Sequence, residues 1–187
     1  MLLKIDFANA FNNCSRKVFL REGASVTPHL YQFLKSAYLH PSSLFLHDSA
    51  EVVLSDEGAQ QGDPVGPLAF ALVSAMLDRE LDSVPELSRV WIYDDLTCVC
   101  PISSLGALRN VLQGHETDLG LVWNKAKSAA VGHAEDLDAV REACPNLGDY
   151  YTPDDNWSLL GVPMNGRRDD ALKLFLDESK TQLASLS

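Results

Sequence analysis

Long apolar runs are missing from this chain. No stretch approaches the ~20 residues needed to cross a bilayer, and the opening LLKIDF lacks the basic region and cleavage site of a secretory signal. These absences point to a soluble intracellular protein, nuclear or cytoplasmic, with no membrane partner. Cysteine is scarce as well. Cys14, Cys98, Cys100 and Cys144 form no CxxC pair, and no histidine cluster stands near them at zinc spacing. Cys98 and Cys100 alternate along one strand-like run and read as buried free thiols; a soft-metal site would need two further ligands that are not in view. Positive charge is the third shortage. With 15 Lys and Arg against 26 Asp and Glu, the formal net charge is −11 and the pI about 4.7. That is the wrong sign for a chain that grips a phosphate backbone by itself. Internal repeats and low-complexity linkers are absent too.

What is present is a globular composition. A chain of 187 residues, 46% hydrophobic and 22% charged, makes one domain with enough apolar surface for a core. Leu2 to Phe7 reads as a buried strand, apolar apart from Lys4 and Asp6. A helix is expected from Ser15, its N-cap, to Glu22, with Gly23 as its stop. A second starts at Thr27-Pro28 and runs to about Tyr38. SSLFLH and EVVLS, separated by Asp48-Ser49-Ala50, read as a β-hairpin. Gly58 to Gly66 is loop chemistry, and Pro67 opens a strongly apolar helix, LAFALVSAMLDREL.

In SRVWIYDDLTCVCP, two short apolar strands are interrupted by aspartates. Ser103 or Ser104 is expected to cap a helix running to about Thr117. Leu121 to Gly132 reads as a loop and a strand, Ala134 to Ala143 as a short helix, and Trp157 to Met164 as strand or hairpin. Asp169 to Leu186 reads as a closing amphipathic helix. Cys144 to Asn156 is the most irregular stretch and the first place for insertion or mobility. The strands are too short for a doubly wound sheet. The expected fold class is α+β, a small antiparallel sheet of ferredoxin- or RRM-like type with helices packed on one face.

Carboxylates stand at two strand ends, Asp6 after the first apolar run and Asp94-Asp95 between two others. Three carboxylates brought together would repel, and a cation would stabilise them. Oxygen-only ligands select Mg2+ or Mn2+ over zinc. Such a constellation suits two-metal phosphoryl transfer. An Asp-Asp pair is also ordinary turn chemistry, because Asp tolerates turn geometry and bonds its own backbone. On spacing alone, the turn explains the pair better.

Five strings change that balance. LLKIDFANAFN, GAQQGDPVGPLAFAL, IYDDL, GLVWNKAKS and SLLGVPM resemble, in order, the catalytic motifs of reverse transcriptases and span residues 2 to 164. The double Gln and the Pro-Val-Gly-Pro phrasing look most like retroelements without long terminal repeats. The resemblance implies a polymerase palm over residues 1–166, with 167–187 a C-terminal helix that starts a thumb or connection. It implies RNA-directed DNA polymerase activity, transferring dNTPs onto a primer with two Mg2+ or Mn2+ ions. Asp6 and Asp94 would hold both ions, Asp95 would be a weaker or outer ligand, and the Phe7 carbonyl would complete the shell.

Further roles follow from the same resemblance. Phe11 falls where the family carries an aromatic gate against the 2′-hydroxyl; by itself it would read as a core aromatic at a helix start. Gln61 and Gly62 would line the nucleotide pocket, while Asp63 and Pro64 shape the loop. Lys127 matches the lysine proposed to protonate pyrophosphate, or is a solvated surface lysine. Leu160 and Gly161 would form the turn beneath the primer end, or simply a hydrophobic turn closing a sheet. The implied partners are an RNA or DNA template-primer and dNTP.

The chain also departs from the pattern. Ile92 stands where an aromatic is usual, and Tyr93 adjoins Asp94 at a variable position, against the primer end. Ser128 follows Lys127 where threonine is common. Basic fingers and a thumb are expected to be missing, in keeping with the acidity. The chain alone should then bind template-primer weakly and depend on those domains or a partner chain. Two other functions stay open. An RNA-templated RNA polymerase palm is disfavoured by Phe11, since that offset usually holds a carboxylate in those enzymes. A non-catalytic palm-derived folding or protein-interaction module is favoured by the acidity and by Ile92-Tyr93.

Overall fold

A computed structural model of the chain describes residues 1–45, 47, 51–60, 62–148, 151–153, 158–159 and 162–163. Strand β1 (Leu2–Ile5) alternates half-buried and buried positions, the two-residue period of a strand with one face in the core. A single turn, α1 (Ala10–Asn13), follows from Asn9, which takes a left-handed φ of 47° that asparagine tolerates. Helix α2 (Arg16–Val26) begins where the Ser15 hydroxyl accepts from the Val18 amide. Helix α3 (Pro28–Tyr38) has proline in its first turn, as expected.

Gly23 does not stop α2. It lies buried inside the helix, where a Cβ would stand 3.0 Å from Leu34 Cδ1 of α3, so its use is close helix–helix approach. The helix ends three residues later at Val26, with the Thr27 hydroxyl donating to the Gly23 carbonyl at 3.3 Å.

Strands β2 (Ser42–Phe45) and β3 (Val52–Ser55) pair antiparallel from Ser42–Ser55 to Phe45–Val52, the expected hairpin. Helix α4 (Gly66–Leu81) buries Ala69, Phe70, Leu72, Val73, Leu77 and Leu81. Strands β4 (Ser88–Ile92) and β5 (Asp95–Val99) pair up to Ile92–Asp95, leaving Tyr93 and Asp94 as the turn. Helices α5 (Leu105–Gly114) and α6 (Glu116–Leu119) stand where one helix to Thr117 was expected. Neither expected serine caps α5 through its side chain: a 3-10 turn, Ile102–Ser104, precedes it, and the Ser104 hydroxyl donates instead to the Pro85 carbonyl at 2.8 Å.

Strand β6 (Ala129–Gly132), helices α7 (Leu137–Ala143) and α8 (Pro145–Gly148), and strand β7 (Tyr151–Pro153) complete the main sheet. Strands β8 (Ser158–Leu159) and β9 (Val162–Pro163) pair antiparallel within the stretch expected to be strand or hairpin. The closing helix expected over Asp169 to Leu186 lies outside the described residues.

The main sheet runs β4-β5-β1-β6-β7. Its first three pairings are antiparallel and β6–β7 is parallel. The expected all-antiparallel sheet is therefore corrected at one edge. The stretch read as irregular contains α8 and β7, and the α7–α8 crossover returns the chain to run alongside β6 in the same direction. Through the other four strands the path is β-α-β-β-α-β. Leu3, Ile5, Leu96, Cys98 and Ala130 are fully buried on one sheet face, in a core shared with Phe70, Val73 and Leu77 of α4 and Leu105, Leu108 and Leu112 of α5. All four cysteines are free and buried. Among the described residues, no helix is long and apolar enough to cross a membrane.

Candidate active site

Strand β1 ends by delivering Asp6. Alternation keeps Ile5 and Phe7 in the core and leaves Asp6 half-buried. An antiparallel bridge joins Phe7 to Trp123. It is closed on either side, with the Ala8 amide donating to the Val122 carbonyl and the Asn124 amide to the Asp6 carbonyl, both at 2.9 Å. This is the wide-pair pattern, in which the bridged residues' own peptide groups are not used. The Phe7 carbonyl is therefore not spent on the bridge. The Phe7 ring stacks on Trp91 at 5.7 Å, and Trp91 is tied by its indole N–H to Asp78 at 2.9 Å. Asp78 also receives Arg89 at 2.6 Å. That guanidinium, followed by the indole bond, holds the Asp78 carboxyl below its ordinary range.

The β4–β5 turn brings Asp94 to the same place. Because β5 pairs with β1 at Ile5–Leu96, the turn lies beside the end of β1. Asp6, Phe7, Phe11, Asp94, Asn124 and Lys127 all line one cleft of about 390 Å³. Four separate segments thus contribute to a single site: the end of β1, α1, the β4–β5 turn and the turn before β6. Phe11 also stacks on Phe70 at 4.7 Å and packs against the core, so it serves the core and the cleft wall together. Lys127 is exposed, with its amide bonded to the Asn124 carbonyl at 3.2 Å.

Other expected residues fall elsewhere. Asp95 meets Lys4 Nζ at 3.3 Å, with both side chains about a third exposed at 31% and 33%. This is a diagonal cross-strand pair, and partial exposure keeps its contribution to stability within about 1 kcal/mol. Tyr93 is 72% exposed at the hairpin tip and takes a left-handed φ of 55°. Gly62 is exposed with φ 85°, and nothing lies within 4 Å of where a Cβ would be. Gln61, Leu160 and Gly161 lie outside the described residues. Among the described residues, no group of three or more His, Cys, Asp or Glu side chains is gathered to hold a metal ion.

The loop before α4 is held by Asp63, as expected of a shaping residue. One carboxylate oxygen accepts from the Val65 amide at 2.8 Å, and the other receives the Tyr38 hydroxyl. Tyr38 in turn accepts from the Gln60 amide at 3.3 Å. Burial, then the bond to Asp63, pushes the Tyr38 hydroxyl up to about 12. Arg16 is buried over the Tyr38 ring and donates to the carbonyls of Ser55, Glu57 and Gly58 at 2.8, 3.0 and 2.9 Å.

Sequence reasoning missed Arg16, Tyr38 and Ser128. Ser128 is buried, and its hydroxyl meets the Asp6 amide at 3.0 Å, the Trp123 indole N–H at 2.8 Å and the Asn124 carbonyl at 2.9 Å. No periodicity marks a serine in a short turn. Only its place after Lys127 drew notice.

The sheet, its packed helices and the cleft define an α+β domain. No protein-family model matches the sequence, and no curated protein matches it. Among solved structures, the chain superposes on apo telomerase from Candida tropicalis, truncated from the C-terminal domain, with a TM-score of 0.55 at 12% identity, covering 68% of this chain and 30% of that one. Telomerase from Candida albicans in complex with a TWJ fragment of telomeric RNA aligns at a TM-score of 0.47 and 15% identity, over 71% of this chain and 28% of that one, too loosely to argue from. The first likeness is one of fold. The chain spans about 30% of that neighbour's length.

Proposed function

We propose that residues 1–166 are the catalytic palm of an RNA-directed DNA polymerase, with Asp6 and Asp94 as its metal-binding carboxylates. The observation that carries this reading is the single cleft shared by Asp6, Asp94, Phe11 and Lys127. The β-α-β-β-α-β path is the ferredoxin-like arrangement and supports it. So does the likeness in fold to telomerase, a reverse-transcriptase-related enzyme. Residues 167–187 would begin a thumb or connection, and retroelements without long terminal repeats are the proposed source class.

The donors present suit Mg2+ or Mn2+. Two carboxylates and the Phe7 carbonyl are all oxygen ligands, and Mg2+ typically takes one or two carboxylates and completes its shell with water and substrate phosphates. When bound, the pair of ions would lower the cost of the attacking hydroxylate and of charge on the leaving phosphates. The chain's own groups do the rest. Asp6 and Asp94 hold the negative charge that attracts the ions. Phe11, fixed against Phe70, walls the sugar side and favours a deoxyribose. Lys127 offers its proton to departing pyrophosphate. Gln61, Gly62, Leu160 and Gly161 would contact nucleotide and primer. A template-primer and dNTP are the proposed partners, bound weakly by this acidic stretch acting alone and more tightly alongside fingers and thumb domains or a partner chain, in the nucleus or cytoplasm.

Primer extension on an RNA template tests the reading. Incorporation of dNTPs in preference to NTPs, lost in Asp94→Ala, supports it, and preference for NTPs supports an RNA polymerase palm instead. One observation favours a second reading, a non-catalytic palm-derived interaction module: Lys4 already neutralises Asp95. No incorporation by the full-length protein with either nucleotide class would select that module.

A further inference from the structure

We infer that Ser128 is the positioning residue of the carboxylate cleft, fixing the backbone at Asp6 and the turn that carries Lys127 through one buried oxygen. Its functional consequence rests on the proposed role of Asp6, but the geometry stands independently. A serine hydroxyl offers one donor and two acceptor sites. Here all three are used: it accepts from the Asp6 amide and from the Trp123 indole N–H, and it donates to the Asn124 carbonyl. The side chain is 3% exposed, so water does not substitute for it.

The loop closes on itself. Asn124 donates its amide back to the Asp6 carbonyl at 2.9 Å, and the Ser128 and Lys127 amides both reach the Asn124 carbonyl, at 3.0 and 3.2 Å. Both peptide groups of Asp6, its N–H and its C=O, are therefore set by the 124–128 turn. That turn also presents Lys127 to the cleft. A shift at Ser128 would move the carboxylate and the ammonium together, although more than a hundred residues separate them in sequence. Outer partners that orient metal ligands in this way are commonly worth ten- to a hundredfold in metal affinity.

The test uses the full chain with three variants, Ser128→Ala, Ser128→Thr and Trp123→Phe. Two quantities are read: amide exchange at Asp6 by NMR without metal, and Mn2+ affinity by electron paramagnetic resonance. Ser128→Ala should speed Asp6 exchange on the order of tenfold, the effect of one buried donor left unpaired, and weaken Mn2+ about ten- to a hundredfold. Ser128→Thr keeps the hydroxyl and should restore both. Trp123→Phe removes only the indole donor and should leave Asp6 exchange near that of the wild type. Wild-type exchange and affinity in Ser128→Ala would overturn the inference, as would equal losses in Ser128→Ala and Ser128→Thr. A wild type that binds no Mn2+ would sink the metal reading of the cleft. Asp6 exchange would then decide the positioning role alone, with acceleration in Ser128→Ala supporting it and none overturning it.

Discussion

Substituting Gly120 by alanine should be one of the costliest single-methyl changes in the protein, and Gly106→Ala one of the few that help. Gly120 follows α6 with φ 69°, where an added Cβ would stand 1.9 Å from the Asn13 carbonyl oxygen and 2.9 Å from its carbon. A left-handed alanine costs ~1–2 kcal/mol before any clash. The obstacle is backbone, which no rotamer change moves aside, so α1 and α6 must separate. That movement strains the bond from the Ser15 amide to the Leu119 carbonyl, 2.9 Å long, worth a further ~1 kcal/mol. Together these give a loss of about 3 kcal/mol, or a fall in Tm of roughly 6–12 °C for a domain of this size. Gly106 lies in α5 with nothing within 4 Å of where a Cβ would be and no positive φ. There, in the first turn of α5, alanine should add ~0.5 kcal/mol, chiefly from unfolded-state entropy. Urea unfolding followed by circular dichroism, with an unchanged m-value, reads both. A near-neutral Gly120→Ala, or two variants shifting the same way, would refute the packing of α1 against α6.

Further outcomes follow from other contacts. Tyr38→Phe removes the donor to Asp63 and the acceptor for Gln60, and should cost ~1–3 kcal/mol; loss of proteolytic protection in the loop before α4 reports it. The four buried thiols should react with a disulfide reagent only on unfolding, since burial pushes Cys98 up to about 12 and Cys14 up to about 11. Rapid labelling of the native chain would contradict this. Asp78 has a lowered folded-state pKa, caused first by Arg89, so its contribution is present above the unfolded value near 3.8 and lost as pH falls through the lower folded value. Asp78→Asn should be less stable than wild type by about 1 kcal/mol at neutral pH, a figure discounted for exposure, with the gap closing only below about pH 4. A gap that grows on acidification would reverse the assigned sign.

Much of this fold was legible because its signals are local. The alternation of Leu3 and Ile5, the proline opening α3, and two apolar runs around Tyr93-Asp94 each mark an element within a few residues. What was missed depends on partners far along the chain. Gly23 reads as a helix stop until Leu34 is seen beside it. The short strand β7 has no pattern of its own and exists through parallel pairing with β6. At the site, strand ends announced Asp6 and Asp94, but not that Asp95 turns to Lys4, which requires the register of β1 against β5. In the sequence Ser128 is only a serine where threonine is common, and its three hydrogen bonds come from residues brought together only by folding.

The central claim is that Asp6 and Asp94 form the cation-holding pair of the cleft while Asp95 is engaged by Lys4. Calorimetric titration of Mn2+ into the wild type, Asp6→Asn, Asp94→Asn and Asp95→Asn tests it directly. The account predicts binding by the wild type, affinity at least about a hundredfold weaker in Asp6→Asn and Asp94→Asn, and a much smaller change in Asp95→Asn. Undetectable binding by the wild type, or an Asp95→Asn loss as large as the other two, would contradict it.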